Sequence, residues 1–181
     1  IKFLNDQIFL ANQDNMIYSI NIKNGEKIWQ FATNNAFLKS DFSNSLAIDE
    51  ATNSLLILNT SGELYSINYI DQSVSWVLNF KNSSLTKDTD LFLSHPLIVN
   101  KNNLIISTEK AILNYDTLTG VKKWSFPSDT IIKPILTTNY TYAVSKNDLL
   151  ICIDNKTGQT VWSRNIYKDL NGKKIKFKIG R

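Results

Sequence analysis

The residues whose chemistry could support catalysis or metal binding are few in this chain. The sequence contains one histidine, His95, and one cysteine, Cys152. A nucleophile, general base or metal ligand needs partner side chains, and neither residue has them at a recognisable spacing. Cys152 lies in the apolar run LLICID, which predicts a buried strand with the thiol as a small core group. His95 precedes a proline at a predicted strand start, so we expect it to be structural.

The acidic side chains do not form a recognisable cluster either. Hydration at the protein surface accounts for those that we considered, namely Glu50, Glu63, Asp88, Asp90 and Glu109. No glycine-rich phosphate loop is present in the sequence. The pattern Asn-x-Ser/Thr, which we attribute to chance in a chain this rich in asparagine, occurs at Asn59, Asn82, Asn139 and Asn155. We therefore predict no catalytic residues, no cofactor-binding residues and no metal ligands.

Composition and charge narrow the class of protein. The chain has 181 residues, of which 43% are hydrophobic, as is ordinary for a globular protein. Its 20 basic and 16 acidic side chains give a net charge of +4, too mild an excess to predict nucleic-acid binding. No run of about 18 apolar residues predicts a transmembrane segment. No signal peptide is visible, so the targeting segment of a secreted form is expected outside this chain.

A sequence repeat organises the chain. Four windows align without gaps, and all four tryptophans occupy the last column. The windows are SINIKNGEKIW at 19–29, SINYIDQSVSW at 66–76, NYDTLTGVKKW at 114–124 and CIDNKTGQTVW at 152–162. The third column contains Asn21, Asn68, Asp116 and Asp154. The seventh column contains Gly25, Gln72, Gly120 and Gly158.

Each column of the repeat has a physical reason. Glycine accepts the positive φ that tight hairpin turns need. The Asn or Asp four residues earlier ends a strand and can bond to nearby backbone amides. Gln72 breaks the glycine column, so we expect the second hairpin to use another type of turn. The tryptophan follows in the next strand, where its large amphipathic ring can cover the contact between neighbouring units and its N–H can find a carbonyl.

Four short strands make up each repeat unit. Two strands joined by a polar turn precede the glycine turn and the tryptophan strand, and a further apolar run precedes three units as SLAID, HPLIVN and KPILTT. A four-stranded repeat of about 40 to 50 residues is typical of a β-propeller blade. We predict an all-β protein with about four four-stranded antiparallel blades in one segment, 1–181. The predicted blades span roughly 1–40, 41–85, 91–130 and 131–168.

The pattern of apolar strand, Asp or Asn, Thr-Gly and Trp resembles the PQQ-like, or quinoprotein-type, β-propeller repeat. The resemblance covers roughly residues 8–166. In that family the tryptophan docks adjacent blades, which implies this role for Trp29, Trp76, Trp124 and Trp162. A WD40 repeat fits less well, because no tryptophan here is followed by Asp. The family includes quinoprotein dehydrogenases, which characteristically carry a vicinal cysteine pair, a calcium site and a catalytic carboxylate, and also cofactor-free scaffolds of the BamB type.

The chain is more similar to the BamB-like scaffolds, because one cysteine cannot supply a vicinal pair. This resemblance implies a non-catalytic scaffold for protein–protein interaction, with no cofactor and with a protein partner such as a component of outer-membrane β-barrel assembly. It also implies a location in the periplasm or at the inner face of the outer membrane. Two alternatives stay open: a fragment of a PQQ-dependent quinoprotein dehydrogenase whose missing blades carry the site, and a ligand-sensing propeller.

Four blades are fewer than propellers of this family usually have. We favour an incomplete part of a larger propeller; a ring completed by a second copy and a small four-bladed ring are the alternatives. An open arc would expose apolar end faces that favour self-association.

Two further stretches depart from the repeat. Residues 81–94 form a long polar connection that could bind a partner. Residues 173–181, KKIKFKIGR, alternate apolar and charged positions and predict a strand of a further blade with lysines at its edge, or a basic stripe that faces an anionic partner.

Overall fold

The computed structural model describes residues 1–33, 44–81 and 92–167, and every regular element in these ranges is a β-strand. The first sheet contains β1 (Lys2–Leu4), β2 (Gln7–Ala11), β3 (Met16–Asn21) and β4 (Lys27–Ala32). The second contains β5 (Ser45–Asp49), β6 (Ser54–Leu58), β7 (Glu63–Asn68) and β8 (Val74–Asn79). The third contains β9 (Ile98–Asn100), β10 (Asn103–Ser107), β11 (Ala111–Asp116) and β12 (Lys122–Pro127). The fourth contains β13 (Ile135–Leu136), β14 (Tyr140–Val144), β15 (Leu149–Asp154) and β16 (Thr160–Asn165).

Consecutive strands are antiparallel neighbours in every sheet, so each sheet is a simple meander. The prediction of an all-β propeller with four four-stranded antiparallel blades is confirmed. The sequence pattern showed an additional first strand in only three units, and the structure adds β1 in the remaining one. In each sheet, the outer turn between the third and fourth strands is followed by the same register shift. This shift lengthens the outer hairpin by one residue.

The sheets pack face to face in chain order. Alternate side chains of a strand point to opposite faces. In β6 every residue is buried, because Leu55 and Ile57 face the first sheet whereas Leu56 and Leu58 face the third. Three apolar clusters fill the three contacts between neighbouring sheets, which we call the first, second and third seams. Each fully buried leucine in a seam contributes about 2 kcal/mol through the hydrophobic effect.

The four sheets form an open arc. Strands β1, β5, β9 and β13 contact one another in succession and form its inner side, so the tryptophan strands β4, β8, β12 and β16 form the outer rim. Among the described strands, β13 and β1 do not make the contacts that successive inner strands make with each other, and the arc is unclosed, so the structure does not show the closed four-bladed ring that was one of the alternatives. The predicted strand at 173–181 and most of the predicted binding loop at 81–94 lie outside the described residues.

Candidate functional site

The Asn or Asp column sits at the start of each outer turn. The side-chain oxygen of Asn21 accepts a hydrogen bond from the Lys23 amide at 2.8 Å, and that of Asn68 accepts one from the Ile70 amide at 2.9 Å. Asp116 and Asp154 each accept three such bonds, from two backbone amides and a threonine hydroxyl. These side chains therefore bond to the turn itself, as their position in the repeat led us to expect.

The expectation of a different turn at Gln72 was wrong. Gln72 has a φ of 66°, against 71° for Gly25, and its amide donates to the Asn68 carbonyl at 2.8 Å. The corresponding glycine amides donate to the corresponding carbonyls at 2.8–2.9 Å. The second hairpin keeps the same turn because the hydrogen bonds of Asn68 hold a non-glycine residue in the left-handed region. That conformation costs about 1 kcal/mol for a residue with a Cβ.

Two of the tryptophans, Trp76 and Trp124, each pack against the glycine turn of the next sheet in chain order. The indole N–H of Trp76 donates to the Thr117 carbonyl at 3.1 Å, and that of Trp124 donates to the Asn155 carbonyl at 2.7 Å. A Cβ added to Gly120 would lie 2.8 Å from the Trp76 ring, so the ring covers the bare face of this glycine. A Cβ added to Gly158 would lie even closer to Trp124, at 2.6 Å from its Cβ and Cγ.

The other two tryptophans differ from this arrangement. Trp29 is buried in the first seam, but its indole nitrogen has no hydrogen-bond partner among the described residues. The outer turn of the next sheet carries Gln72 where the turns that meet Trp76 and Trp124 carry glycine. Trp162 belongs to the last sheet of the arc and is 39% exposed. The docking role of the four tryptophans stays a prediction, and these positions are its structural basis.

Sequence reasoning missed the acceptors of the docking bonds. Thr117 and Asn155 contribute backbone carbonyls, and a carbonyl leaves no signature in a side-chain pattern. Asn155 was dismissed as a chance glycosylation motif, yet it is buried and its amide group donates to the Thr137 carbonyl at 2.9 Å. Its side-chain oxygen accepts the hydroxyl proton of Thr141 at 2.6 Å. Its place directly after the Asn or Asp column was the available signal.

The turn carboxylates of the third and fourth sheets are held in the ionised form. Burial opposes the ionisation of Asp116, but bonds from the Thr119 amide and from Lys123 outweigh it and hold the pKa of this carboxyl below its ordinary value. The Lys123 ammonium lies 3.2 Å from Asp116. Hydrogen bonds from the amide and hydroxyl of Thr157 lower the pKa of Asp154. Both carboxylates therefore act as permanent acceptors at neutral pH.

The clefts of the arc have mixed polar and apolar linings, and their described residues form no recognisable reaction centre. One, of about 520 Å³, lies at the third seam and is lined by asparagines together with Lys123, Asp154 and Lys156. Another, of about 370 Å³, is lined in part by Asn59, whose side-chain amide donates to the Glu63 carboxylate at 3.1 Å; the Tyr65 hydroxyl donates to the same carboxylate at 2.9 Å. Glu63 is buried, so the expectation that surface hydration accounts for it was wrong. These contacts satisfy a buried charge and rigidify the fold.

The described side chains that could act as nucleophiles or metal ligands do not form a cluster. Cys152 is a free, buried thiol, and the His95 ring is 3.5 Å from the Thr130 carbonyl. In the part of the chain that the structure describes, no three His, Cys, Asp or Glu side chains lie close enough together to bind a metal ion. Within residues 1–33, 44–81 and 92–167, no helix has the length and hydrophobicity needed to cross a bilayer.

Each rim strand leaves one backbone edge without a paired strand in its sheet. Strands β4, β8, β12 and β16 are each the last strand of a sheet and pair on one side only. All six residues of β16 are exposed. These four fully described strands contain no acidic side chain, and their basic residues are Lys27, Lys122, Lys123 and Arg164. An unpaired strand edge can bind an extended segment through main-chain hydrogen bonds.

The family model and the curated relatives that match this chain carry the same description. The family model described as outer membrane protein assembly factor BamB matches residues 2–164. The curated protein of that description from Shewanella oneidensis is 22% identical over 179 residues, which cover 92% of this chain and 42% of the relative. The one from Yersinia pestis is 22% identical over 170 residues, which cover 88% and 41%. The chain thus spans less than half the length of these relatives.

Solved structures of similar fold are also known. BamB from Moraxella catarrhalis has a TM-score of 0.65 at 16% identity, and the match covers 90% of this chain and 50% of that one. The computationally designed Ika8 protein has a TM-score of 0.66 at 11% identity, with coverages of 91% and 48%. Sqt1 of Saccharomyces cerevisiae has a TM-score of 0.69 at 16% identity, with coverages of 87% and 43%. At these identities the likeness establishes the fold alone.

Proposed function

The chain belongs to the PQQ-like propeller family described as outer membrane protein assembly factor BamB, and on that premise we propose that it is a non-catalytic scaffold for protein–protein interaction in outer-membrane protein assembly. The family match over 2–164 is the observation that carries the proposal. In this role the protein acts on the periplasmic side of the outer membrane, as the resemblance to BamB-like scaffolds implies. Its partner is a component of the machinery that assembles outer-membrane β-barrels.

The rim supports a specific mode of binding. Each rim strand presents unpaired N–H and C=O groups along one edge. A partner segment that adds as a further strand gains main-chain hydrogen bonds and buries apolar rim side chains such as Val77, which is 46% exposed. Because the rim strands carry basic residues and no acidic ones, the partner segment contains acidic side chains.

Affinity capture tests the function. The 181-residue chain, tagged and immobilised, is incubated with a detergent extract of the cell envelope of its own organism, and bound proteins are identified by mass spectrometry. We expect components of outer-membrane β-barrel assembly among the enriched proteins. Recovery of no specific protein, or of a cytochrome as expected for a quinoprotein dehydrogenase, contradicts the proposed function.

Two matched variants test the rim. Lys122→Glu reverses an exposed charge on β12, and Lys133→Glu reverses an exposed charge in the connection that leads to the inner strand β13. We expect the first to lower recovery of the partner about fivefold at low salt and the second to leave it unchanged. Equal recovery with both variants rejects the rim as the binding surface.

The enzyme alternative has a direct assay. Pyrroloquinoline quinone and calcium are added to the protein, and reduction of an artificial electron-acceptor dye is followed with alcohols and sugars as substrates. A scaffold gives no dye reduction above the protein-free blank and no cofactor absorbance after gel filtration. Sustained dye reduction by the added quinone contradicts the non-catalytic proposal.

A further inference from the structure

The four rim strands occupy equivalent places in their sheets but differ in how their open edges are protected. Natural sheets protect an open edge with charged side chains or with proline, which hinder pairing with another chain. β4 contains Lys27, β12 contains Lys122, Lys123 and Pro127, and β16 contains Arg164. The fully described strand β8, with the sequence VSWVLN, contains neither a charged residue nor a proline. Of the four rim strands, β8 therefore has the least protected edge.

The register of the second sheet shows which backbone groups of β8 face the open edge. The Phe80 amide donates to the Gly62 carbonyl at 2.9 Å, so the backbone of Phe80 points to the side of the sheet on which β7 lies. The direction of the backbone groups alternates along an antiparallel strand. Leu78 therefore also points its N–H and C=O to β7, whereas Val77 and Asn79 point theirs to the open edge.

A proline in the third sheet supports this assignment. Pro127 of β12 pairs with Ala111, and the equivalent pair in the second sheet is Asn79 with Glu63. A proline cannot donate a backbone hydrogen bond, so it is tolerated in an edge strand where its nitrogen faces away from the neighbouring strand. The position that offers an outward N–H in β8 is thus occupied by a proline in β12.

The side chains of β8 add apolar contact area to this edge. Val77 pairs with the buried Tyr65 and is itself 46% exposed. Trp76 and Leu78, which point to the opposite face of the sheet, are half-buried against the second seam. A segment laid along this edge would therefore bury apolar surface on both faces of the sheet, in addition to forming main-chain hydrogen bonds.

Basic side chains stand on both sides of the β8 edge. The residue equivalent to Val74 is Lys27 in the first sheet and Lys122 in the third, and both lysines are exposed. The first and third sheets pack on the two faces of the second. The nearby carboxylate of Asp71 accepts the hydroxyl proton of Ser73 within its own turn, at 2.6 Å. A segment on β8 thus lies between two positive charges at one end, which favours acidic side chains there.

We propose that the partner binds by adding an extended segment to β8, as a fifth strand of the second sheet. Its apolar side chains contact Val77 on one face and Trp76 and Leu78 on the other. Its acidic side chains lie beside Lys27 and Lys122. This inference rests on the proposed function and specifies its binding site. Because β8 belongs to an internal sheet of the arc, the site does not depend on what adjoins the ends of the arc.

Proline substitution at one register position tests the site with matched controls. Val77, Gln30 and Ser125 occupy equivalent positions in β8, β4 and β12. Because the N–H of Val77 faces away from β7, proline there removes an outward donor and keeps the hydrogen bonds within the sheet. We expect Val77→Pro to lower recovery of the assembly components in envelope capture about tenfold, through a lost hydrogen bond and a steric block. Gln30→Pro and Ser125→Pro are expected to leave this recovery unchanged.

Hydrogen exchange of the unaltered protein is a second measurement that needs no variant. With the purified component that the capture identifies, we expect amide exchange to slow in the peptide that contains β8 and to stay the same in those that contain β4 and β12. If circular dichroism shows that Val77→Pro does not fold, this measurement decides alone.

The outcomes separate the site from the function. Equal recovery by folded Val77→Pro and by the unaltered chain, or slowed exchange in β4 or β12 instead of β8, overturns β8 as the site and leaves the proposed function intact. Failure of the unaltered chain to recover any assembly component rejects the proposed function, and this inference with it.

Discussion

Gly158 and Gly25 allow the energy of tryptophan docking to be separated from backbone strain. The two glycines have φ values of 72° and 71° in equivalent turns. Substitution by alanine therefore imposes the same left-handed strain on both, about 1 kcal/mol. The surroundings differ, because a Cβ at Gly158 would lie 2.6 Å from Cβ and Cγ of Trp124, whereas one at Gly25 would meet nothing within 4 Å.

The collision determines the expected difference. Overpacking at a filled site costs about 1–3 kcal/mol, and displacement of the ring also weakens the hydrogen bond from Trp124 to the Asn155 carbonyl, which contributes about 1 kcal/mol. We expect Gly158→Ala to destabilise the protein by about 3–4 kcal/mol and Gly25→Ala by about 1 kcal/mol. For a chain of this length each kcal/mol shifts the melting temperature by about 2–4 °C.

Thermal unfolding followed by circular dichroism and by tryptophan fluorescence measures this difference. Gly158→Ala is expected to melt about 5–10 °C below Gly25→Ala. A blue or red shift of native-state fluorescence in Gly158→Ala alone would report the displaced Trp124 ring. Equal melting temperatures for the two variants would refute the reasoning, because they would mean that the close contact between Gly158 and Trp124 carries no stability. The comparison is made at a protein concentration at which both variants have the same molar mass.

Two further predictions follow from the same turns. Gln72→Gly removes the strain of a left-handed residue that has a Cβ and leaves more room in the first seam for Trp29. We therefore expect the free energy of unfolding, measured with denaturant, to rise by about 1 kcal/mol. A lower free energy of unfolding would contradict the assignment of strain to this turn. Asp154 has a lowered pKa in the folded protein, so its contribution is present above its unfolded pKa of about 3.9 and is lost as the pH falls through its folded pKa. The melting temperatures of the unaltered protein and of Asp154→Asn are therefore expected to differ most at neutral pH and to converge below about pH 4, whereas a constant difference across this range would contradict the role of ionisation.

Local features of the fold were accessible from the sequence. Strand alternation, the turn residues and the tryptophan column each act over a few positions, so the four sheets and their outer hairpins followed from pattern alone. The turn at Gln72 was missed because Asn68 accepts hydrogen bonds from the Ile70 and Gln72 amides. These bonds offset the cost of one residue with an unfavourable positive φ.

Only the donors of the docking hydrogen bonds could be predicted from the sequence. The tryptophans are visible in the sequence, but their acceptors are backbone carbonyls of Thr117 and Asn155, which any residue type could provide. Which face of each sheet a tryptophan covers depends on the order of sheets in space. The exposure of Trp162, and the empty turn at Gly25, depend on what lies beyond the ends of the arc, and that information is not contained in any short pattern.

Burial of the middle strands on both faces has a consequence for how the molecule opens. Every residue of β6 and β10 is buried, whereas every residue of β16 is exposed. In an array whose units touch only their neighbours, a terminal unit can unfold at the loss of one interface, but a middle unit must break two. We therefore expect the amide hydrogens of β6 and β10 to exchange with solvent much more slowly than those of β16. Within the described arc, the two middle sheets are therefore expected to be the last to open and the two at its ends the first.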